Sequence, residues 1–398
     1  MNYNNSNINR NNNNKNNGFS ARCTQYSLFE PADTAGSFYS KADFLNDLFF
    51  AYYECRKNKR NTINALAFEL QFERNLLELG EEVWSNRYKI GRSICFVVKK
   101  PVYREIFAAD FRDRVIHHYA IGSIIFRLEN YFHPRSFACR YGKGTLFGIK
   151  TLQVDLQEAQ REHGKPWILK LDISGFFMNI DRKLLHEKFQ NWLELENDLP
   201  SKPWLQTIFH QIINHDPTQN AIIKGSRLDW KKIPKHKSLF GTEVGKGVPI
   251  GNLTSQILAN FYLAEFDWFV EKELGVQWYG RYVDDFYLIH ASKDFLLSCK
   301  EKIEWFLQKQ LGLKLHPHKV YLQNTTKGVS FLGAYVYASH LLVGKRLKQN
   351  LYGLTTRSKT NSIEKLELSW ISYQGHCKHF NAKKLLQKVS NRIENNTL

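Results

Sequence analysis

Apolar residues along the chain recur at two spacings, one typical of helices and the other of strands. Between residues 40 and 80 the apolar positions repeat at helical spacing on either side of a basic turn at 56–60. The tail after Lys345 is basic and also mostly helical in pattern. The same periodicity predicts further helices at 111–126, 182–195, 204–213, 255–274 (long and amphipathic) and 293–311.

Shorter apolar runs predict the strands. Residues 167–173 read Trp-Ile-Leu-Lys-Leu-Asp-Ile, a run that is too short for a helix and suits a buried strand. Residues 278–291 predict a hairpin whose turn holds Asp284 and Asp285. Additional strands are predicted at 92–98, 320–322 and 330–337, and a polar, basic loop or insertion at 216–246. Strands that alternate with helices, two of them with Asp at the strand end, favour an α+β fold over a doubly wound sheet.

Composition narrows the partners without identifying them. The 398 residues are too many for one compact core, so at least two subdomains are expected. A formal net charge of +18 indicates a polyanionic partner, which leaves nucleic acid and anionic lipid both open. No apolar run approaches the about 18 residues that indicate a membrane span, and no signal peptide starts the chain. We therefore expect no association with a membrane.

The start of the chain and its cysteines add two further expectations. An Asn-rich segment has almost nothing to bury, so we expect a disordered tail at 1–23. The cysteines are scattered without a Cys-x-x-Cys pair, which favours buried thiols in a reducing cytoplasm over disulfides or a zinc site. They are Cys23, Cys55, Cys95, Cys139, Cys299 and Cys377.

Three aspartates stand at strand ends, where a metal-dependent site needs rigidly held carboxylates. Asp172 ends one predicted strand, and Asp284 and Asp285 occupy the hairpin turn. Transfer of a nucleotide to a 3′-hydroxyl uses two divalent ions, and Mg²⁺ prefers hard oxygen ligands. Asp is also common in hairpin turns, so the Asp-Asp pair alone leaves an ordinary turn equally open. The apolar flanks favour a functional site, because a bound cation would offset the cost of two charges beside a core.

Tyr282-Val283-Asp284-Asp285 resembles the aromatic-x-Asp-Asp hairpin of reverse transcriptases. Residues 170–177 (Lys-Leu-Asp-Ile-Ser-Gly-Phe-Phe) resemble the other metal-binding segment of that family. The resemblance implies an RNA-directed DNA polymerase with an α+β right-hand fold: fingers, a palm with an antiparallel sheet, and a helical thumb. It implies that Asp172, Asp284 and Asp285 are catalytic and, together with Ile173, bind two Mg²⁺ ions, for which Mn²⁺ could substitute. Phe177 would then reject a 2′-hydroxyl as a steric gate, whereas taken alone it is more simply a core aromatic.

Residues 247–256 (Gly-Val-Pro-Ile-Gly-Asn-Leu-Thr-Ser-Gln) distinguish between classes of reverse transcriptase. Most members carry Gln-Gly and then Ser-Pro here, whereas this chain has Ile250-Gly251 and Ser255-Gln256. In this it resembles the reverse transcriptases of diversity-generating retroelements, which misincorporate at template adenines. Ile250 removes a hydrogen-bonding side chain beside the incoming nucleotide, which would weaken discrimination against a wrong base. Taken alone, an apolar residue in a Gly-bearing turn is the simpler interpretation.

Other segments resemble further parts of this family. The resemblance assigns nucleotide contacts to Arg104, Arg112, Arg114, Phe177, Ile250, Gly251, Gln256 and Lys319. It assigns template or primer contacts to Arg140, Lys143, Phe331, Leu332 and Gly333. Any one of the cations is also compatible with a solvated surface charge, and Lys319 with either proton donation to pyrophosphate or a surface position. His117 and His118 point different ways on a predicted helix, so we interpret them as structural.

The resemblance also divides the chain and implies its partners. N-terminal helices and fingers are expected at 24–165, the palm with some fingers elements at 166–335, and the thumb at 336–398. The implied partners are template RNA, cDNA, deoxynucleoside triphosphates and a basic accessory protein of the retroelement, in a bacterial or phage setting. Two alternatives stay open. One is a defence-associated or group II intron-like reverse transcriptase, which usually keeps Gln at the position of Ile250; the other is a non-catalytic RNA-binding scaffold, against which the three intact aspartates argue.

Overall fold

The computed structural model describes residues 39–57, 62–100, 102–357 and 363–397. The predicted tail at 1–23, with Cys23, lies outside these residues. Within them the chain forms two compact units, 39–325 and 326–397. This division falls before the predicted palm–thumb boundary at 335/336, and the limits of fingers, palm and thumb stay a prediction.

Helices and two sheets build the first unit. Its helices are α1 (Lys41–Arg56), α2 (Ile63–Glu69), α3 (Phe72–Trp84), α4 (Phe111–Gly122), α5 (Ile125–Tyr131), α6 (Thr145–His163), α7 (Phe176–Asn179), α8 (Arg182–Leu195), α9 (Lys202–Asn214), α10 (Leu253–Tyr262), α11 (Ala264–Trp268) and α12 (Lys293–Leu311). Its strands are β1 (Ile94–Val98), β2 (Arg104–Ala108), β3 (Trp167–Asp172), β4 (Ile222–Ile223), β5 (Trp278–Tyr282), β6 (Asp285–His290) and β7 (Tyr321–Asn324).

The larger sheet has the strand order β5-β6-β3-β7, and every neighbouring pair is antiparallel. Its core face is strongly apolar: Leu169, Leu171 and Phe286 are fully buried. Helix α12 packs against β3 and β6, and α6 packs against β5 and β6. The predicted hairpin at 278–291 is therefore the β5–β6 pair, with its turn at Val283-Asp284.

Two predicted helices are interrupted. The predicted helix 111–126 is divided by Ser123 and Ile124 into α4 and α5. The predicted helix 255–274 is divided at Leu263 into α10 and α11 and ends in a π-helical turn, Phe269–Glu273. Helix α10 is also not amphipathic over most of its length, because α4 and α8 pack against it and nearly all its residues are buried. The pattern of apolar positions predicts neither α6 nor β2.

The predicted basic insertion at 216–246 is only partly a loop. Its strand β4 pairs parallel with β1, and β1 pairs antiparallel with β2, so the insertion completes the second sheet. Short 3-10 turns follow at Arg227–Lys232, Lys235–Lys237 and Leu239–Gly241. The insertion is thus attached to the sheet that precedes α4.

The second unit contains a small antiparallel sheet and helices with their own core. Its elements are β8 (Val329–Phe331), β9 (Ala334–Val336), β10 (Leu341–Val343), α13 (Lys345–Arg357), α14 (Ile363–Cys377) and α15 (Lys383–Thr397). Leu351, Cys377 and Val389 form the centre of the helical core. In the described part of the chain, no helix is both long and apolar enough to span a bilayer. The described cysteines are thiols rather than disulfides, and all but Cys139 are buried.

Candidate active site

The structure brings the three predicted aspartates together where β3 meets the β5–β6 hairpin. Asp172, the last residue of β3, lies opposite Asp285, the first residue of β6. The Ile173 N–H donates to the Asp284 carbonyl at 3.0 Å, which joins the end of β3 to the hairpin turn. The Ile173 side chain itself is buried in the core. Backbone pairing therefore sets the spacing of the carboxylates.

The two hairpin carboxylates have raised pKa values, because burial disfavours their ionised forms. Burial, and then the nearby charge of Asp172, raise the pKa of Asp284 to about 6. Burial also raises the pKa of Asp285 to about 6, although Lys170 acts in the opposite direction with Nζ 3.1 Å from Oδ2. The Asp285 Oδ1 atom is buried and has no hydrogen-bond partner. Perturbed acids of this kind concentrate at functional sites.

Lys319 contacts the remaining carboxylate of this group, that of Asp172. Its Nζ lies 2.9 and 2.8 Å from the two oxygens of Asp172. Lys319 follows a segment that is anchored to β3, because the His316 N–H donates to the Asp172 carbonyl at 2.7 Å. The segment that ends at Lys319 therefore brings this lysine to the aspartates, where it contacts the Asp172 carboxylate.

The donor set fits a divalent cation in its chemistry. The three carboxylates are hard oxygen ligands of the kind that Mg²⁺ and Mn²⁺ prefer, and one of their oxygens, Asp285 Oδ1, is buried without a partner. Across the described ranges, however, no group of three or more His, Cys, Asp or Glu side chains is arranged to hold a metal ion. Lys319 contacts both oxygens of Asp172 and Lys170 contacts Asp285 Oδ2, so a metal ion that used these oxygens would displace the two lysines.

A buried ion pair beside the hairpin turn is a feature that no motif in the sequence predicts. Arg281 is fully buried and donates from Nε and Nη2 to the two oxygens of Asp267, at 2.6 Å each. The Tyr279 hydroxyl donates to the same carboxylate at 2.6 Å. Bidentate pairing of this type combines strength with a fixed geometry. An arginine inside the apolar run of β5 was the available signal, but it did not identify the partner.

Arg281 also holds the turn that carries the aspartates. Its Nη1 donates to the Val283 carbonyl at 2.9 Å. Val283 has φ +58°, a left-handed conformation that is unfavourable for a β-branched residue. The buried arginine therefore fixes a strained turn directly before Asp284.

Phe177 and Ile250 meet on one small apolar cluster. Both pack against the group formed by Cys95, Phe107, Met178 and Leu239. The Phe107 N–H donates to the Ile250 carbonyl at 2.9 Å, and the Val248 N–H donates to the Phe177 carbonyl at 2.9 Å. Two predicted nucleotide-binding residues from distant segments thus pack on the same cluster.

Gly251 is required by its surroundings. It has φ +131°, and a Cβ there would lie 2.7 Å from Ile106 Cγ2 and 3.1 Å from the Phe107 carbonyl oxygen. The close approach is therefore between this turn and strand β2. Gln256, one turn into α10, is exposed, and its Oε1 accepts a hydrogen bond from Cys139 Sγ at 3.2 Å.

The three arginines predicted to contact the nucleotide differ in how exposed they are and in which partners they already have. Arg104 is exposed at the start of β2. Arg112 pairs with Glu82 and lies over the Tyr88 ring, and Arg114 donates to the Ala109 carbonyl at 2.8 Å. Of these, the exposed Arg104 has the most accessible guanidinium.

Arg140 and Lys143 hold the segment that precedes α6. Arg140 is 4% exposed, donates to the carbonyls of His133, Ser136 and Glu129, and pairs with the Glu129 carboxylate. The geometry favours a structural role over the predicted contact with a template phosphate, since its donors are already used. Lys143 donates to the Pro134 carbonyl at 2.7 Å, and burial lowers its pKa to about 8.

Phe331, Leu332 and Gly333 belong to the second unit. Phe331 is buried, and Leu332 and Gly333 both have positive φ, so they form the tight turn between β8 and β9.

His117 in the first unit is buried and paired with the Thr254 hydroxyl at 2.8 Å, as expected for a structural histidine.

Comparisons with known proteins add the family. A model described as "Reverse transcriptase (RNA-dependent DNA polymerase)" matches residues 98–336. Protein YkfC of Escherichia coli (strain K12) is 23% identical over 323 residues, 73% of this chain and 75% of that protein.

Among solved structures, telomerase from Candida tropicalis with a TWJ fragment of telomeric RNA has a TM-score of 0.49 and 12% identity, covering 80% of this chain and 58% of its own. An apo telomerase from the same organism, truncated from the C-terminal domain, has a TM-score of 0.47 and 13% identity, covering 68% and 60%. The chain thus spans about three fifths of the length of these telomerase chains.

The family match covers more than half of the chain and includes the three aspartates, Ile250 and Lys319. It confirms the predicted α+β right-hand fold and the predicted enzyme class. The chain belongs to the reverse transcriptase family of RNA-dependent DNA polymerases.

Proposed function

We propose that this chain copies the template RNA of a diversity-generating retroelement into cDNA and makes adenine-biased errors as it does so. The observation that carries the proposal is Ile250, an apolar side chain where most of the family carries Gln, packed on the same cluster as Phe177. The proposed partners are the template RNA, deoxynucleoside triphosphates and a basic accessory protein of the retroelement.

Asp172, Asp284 and Asp285 are the groups that would hold the divalent cations. When bound, two such ions would activate the primer 3′-hydroxyl and neutralise the leaving pyrophosphate. The strand pairing of Asp172 with Asp285 holds these carboxylates on rigid backbone, as positional catalysis requires. Lys319, which pairs with Asp172 here, would be the cation that contacts the departing phosphates.

The selectivity of the pocket follows from what its side chains can and cannot bond. In this proposal Phe177 is the steric gate that packs against the sugar and excludes a ribose 2′-hydroxyl, which would favour deoxynucleotides. Ile250 offers no hydrogen bond to the nucleotide or the template base, so a mispair there leaves no polar protein group unsatisfied. Discrimination against wrong bases is weakened for that reason.

The test is sequencing of cDNA made from the native RNA by the wild-type chain and by Ile250→Gln. The proposal predicts errors concentrated at template adenines in the wild type and fewer such errors in Ile250→Gln. Ile250→Val is the matched control, since it stays apolar and should keep the adenine bias.

Three outcomes would count against the proposal. Errors spread evenly over four template bases would favour a defence-associated or intron-like reverse transcriptase. An adenine bias that survives Ile250→Gln would remove Ile250 as its cause. Absence of cDNA with every template, with Asp284→Asn giving the same blank result, would favour an RNA-binding scaffold.

A further inference from the structure

The segment 222–240 carries a dense positive charge that the active site does not use. Its exposed cations are Lys224, Arg227, Lys231, Lys232, Lys235 and Lys237. Asp229 is the one acidic residue among them, and it pairs with Lys99 at 3.0 Å. Within the described ranges, none of the six cations forms an ion pair.

This differs from exposed cations elsewhere in the same unit. Arg74 pairs with Glu78 at 2.8 Å, and Lys183 pairs with Glu187 at 3.9 Å. Like charges gathered without counter-charges repel each other, and a bound polyanion relieves that repulsion. The cations of the segment therefore lack the counter-charges that these two paired cations have.

A buried carboxylate attaches this segment to strand β2. Glu105 is 3% exposed and accepts hydrogen bonds from Trp230 Nε1 at 2.8 Å, Ser238 Oγ at 2.7 Å and the Leu239 N–H at 2.6 Å. A buried charge is costly unless it is fully bonded in this manner. A charge run that serves only solubility does not require such an anchor.

Backbone pairing fixes the other end of the segment. The Ile222 N–H donates to the Ser93 carbonyl, and the Lys224 N–H donates to the Cys95 carbonyl, each at 2.8 Å. Lys232 Nζ lies 3.1 Å from the Tyr103 hydroxyl. The cations therefore stand on a fixed surface beside β1 and β2.

That surface lies next to the proposed nucleotide pocket. Leu239 packs with Met178 and Phe107 in the cluster that also contacts Phe177 and Ile250. A Cβ at Gly175 would come within 3.5 Å of the His236 carbonyl oxygen. The basic segment thus touches the stretch that follows Asp172.

We propose that the basic segment 224–237 binds the phosphate backbone of the RNA that is being copied, beside the catalytic aspartates and separately from them. This deepens the proposed function and rests on it for the identity of the polyanion. RNA fits better than an anionic membrane, because the helical turns here are only three to six residues long and offer no continuous apolar face.

The test compares two triple variants of the full chain. Lys231→Gln, Lys235→Gln and Lys237→Gln remove charge from the segment. Lys183→Gln, Lys302→Gln and Lys309→Gln remove the same charge from other exposed positions. Binding of a fluorescein-labelled single-stranded RNA is measured by anisotropy over a series of KCl concentrations.

Each phosphate contact to a single strand contributes about 0.7 to the slope of log affinity against log salt. Loss of three contacts should therefore reduce the slope by about 2 in the segment variant and leave it nearly unchanged in the control variant. Equal slopes in the two variants, or a wild-type slope in the segment variant, would overturn the proposal. Matching melting temperatures for the two variants exclude unfolding as the cause.

Two further measurements separate this proposal from the proposed function. Nucleotide addition to a saturating preformed primer–template should be the same in both variants. If the wild-type chain adds no nucleotide, the proposed function is wrong. The salt slopes test RNA binding by the segment independently of that result. Binding to phosphatidylserine vesicles that falls in the segment variant, with an unchanged RNA slope, would identify a membrane surface and overturn RNA binding.

Discussion

Two charged groups at the closed end of the β5–β6 hairpin are held under opposite conditions. Beside the turn, Arg281 and its partner Asp267 in α11 have 0% and 1% side-chain exposure, and the carboxylate oxygens both accept from the guanidinium. At the turn, the pKa values of Asp284 and Asp285 are raised to about 6, and Asp285 Oδ1 has no partner. One hairpin thus carries a saturated charge pair and an undercompensated one within a few residues.

The difference shows how to separate structural charges from functional ones. A buried pair with all its bonds made resists change and positions the backbone, which is the role of Arg281 under Val283. A buried carboxylate with too few hydrogen bonds and counter-charges disfavours its ionised form unless a cation binds, and such groups are candidates for a functional role. Substitutions at Asp284, Asp267 and Lys319 test this contrast, and a substitution at His117 tests a buried titratable group elsewhere in the same unit.

The largest effect is expected from Asp284→Asn. Nucleotide addition should fall by at least about 10²–10³-fold, the size associated with losing one electrostatic stabiliser of a transition state. The melting temperature of the metal-free protein should not fall, because burial already disfavours the ionised carboxylate. Asp294→Asn, at an exposed site in α12, is the control for loss of a negative charge. Retained activity, or unfolding of Asp284→Asn, would contradict the contrast.

Asp267→Asn should act in the opposite manner, mainly on stability. It leaves the Arg281 charge buried without its partner, which costs about 3–5 kcal/mol in comparable sites. Urea unfolding measures the loss. In the double variant with Arg281→Met the stranded charge is gone, so part of the stability should return. Strictly additive losses in the two variants would show that the pair is not coupled.

A pH-dependent loss is expected from His117, a structural group away from the hairpin. Burial lowers its pKa to about 3, below the unfolded value near 6.5. The unfolded chain therefore binds a proton that the folded chain does not, and the contribution of His117 to stability falls as the pH drops from 6.5 towards 3, by up to about 1.4 kcal/mol per pH unit. His117→Gln should remove this slope. Urea unfolding of both proteins at pH 7 and pH 5 measures the difference; equal pH dependence would contradict it.

The smallest effect on stability is expected from Lys319→Gln. The Lys319 side chain is 48% exposed, so its ion pair with Asp172 should contribute less than about 1 kcal/mol. The lysine and a cation compete for the same oxygens, so the Mg²⁺ concentration that gives half-maximal activity should fall. A stability loss as large as that of Asp267→Asn would show that the turn is also a structural charge cluster.

Local sequence signals were sufficient where side chains set the ends of an element. Helix α12 spans the predicted 293–311, with Ser292 Oγ accepting from the Phe295 N–H and Gly312 ending it in the left-handed conformation. Helix α8 likewise matches the predicted 182–195 and starts after Asp181, whose carboxylate caps it. These ends are encoded within a few residues.

The interruption near Leu263 was not predictable in the same way. Because α10 is buried on nearly all sides, its polar and apolar positions carry no periodic signal about where the helix stops. Contacts between residues far apart in the sequence were equally unpredictable. The motifs located the three aspartates, but the partnership of Arg281 with Asp267 and of Glu105 with Trp230 depends on tertiary packing that no local spacing reveals.

The backbone hydrogen bond from Phe107 to the Ile250 carbonyl has a consequence for how this enzyme can evolve. It involves main-chain atoms alone, and Gly251 supplies the conformation of the turn. The side chain at position 250 can therefore be exchanged while the turn keeps its place. Under the proposed function, copying accuracy becomes a heritable trait that one codon adjusts, and selection can raise or lower it without first having to preserve a fold.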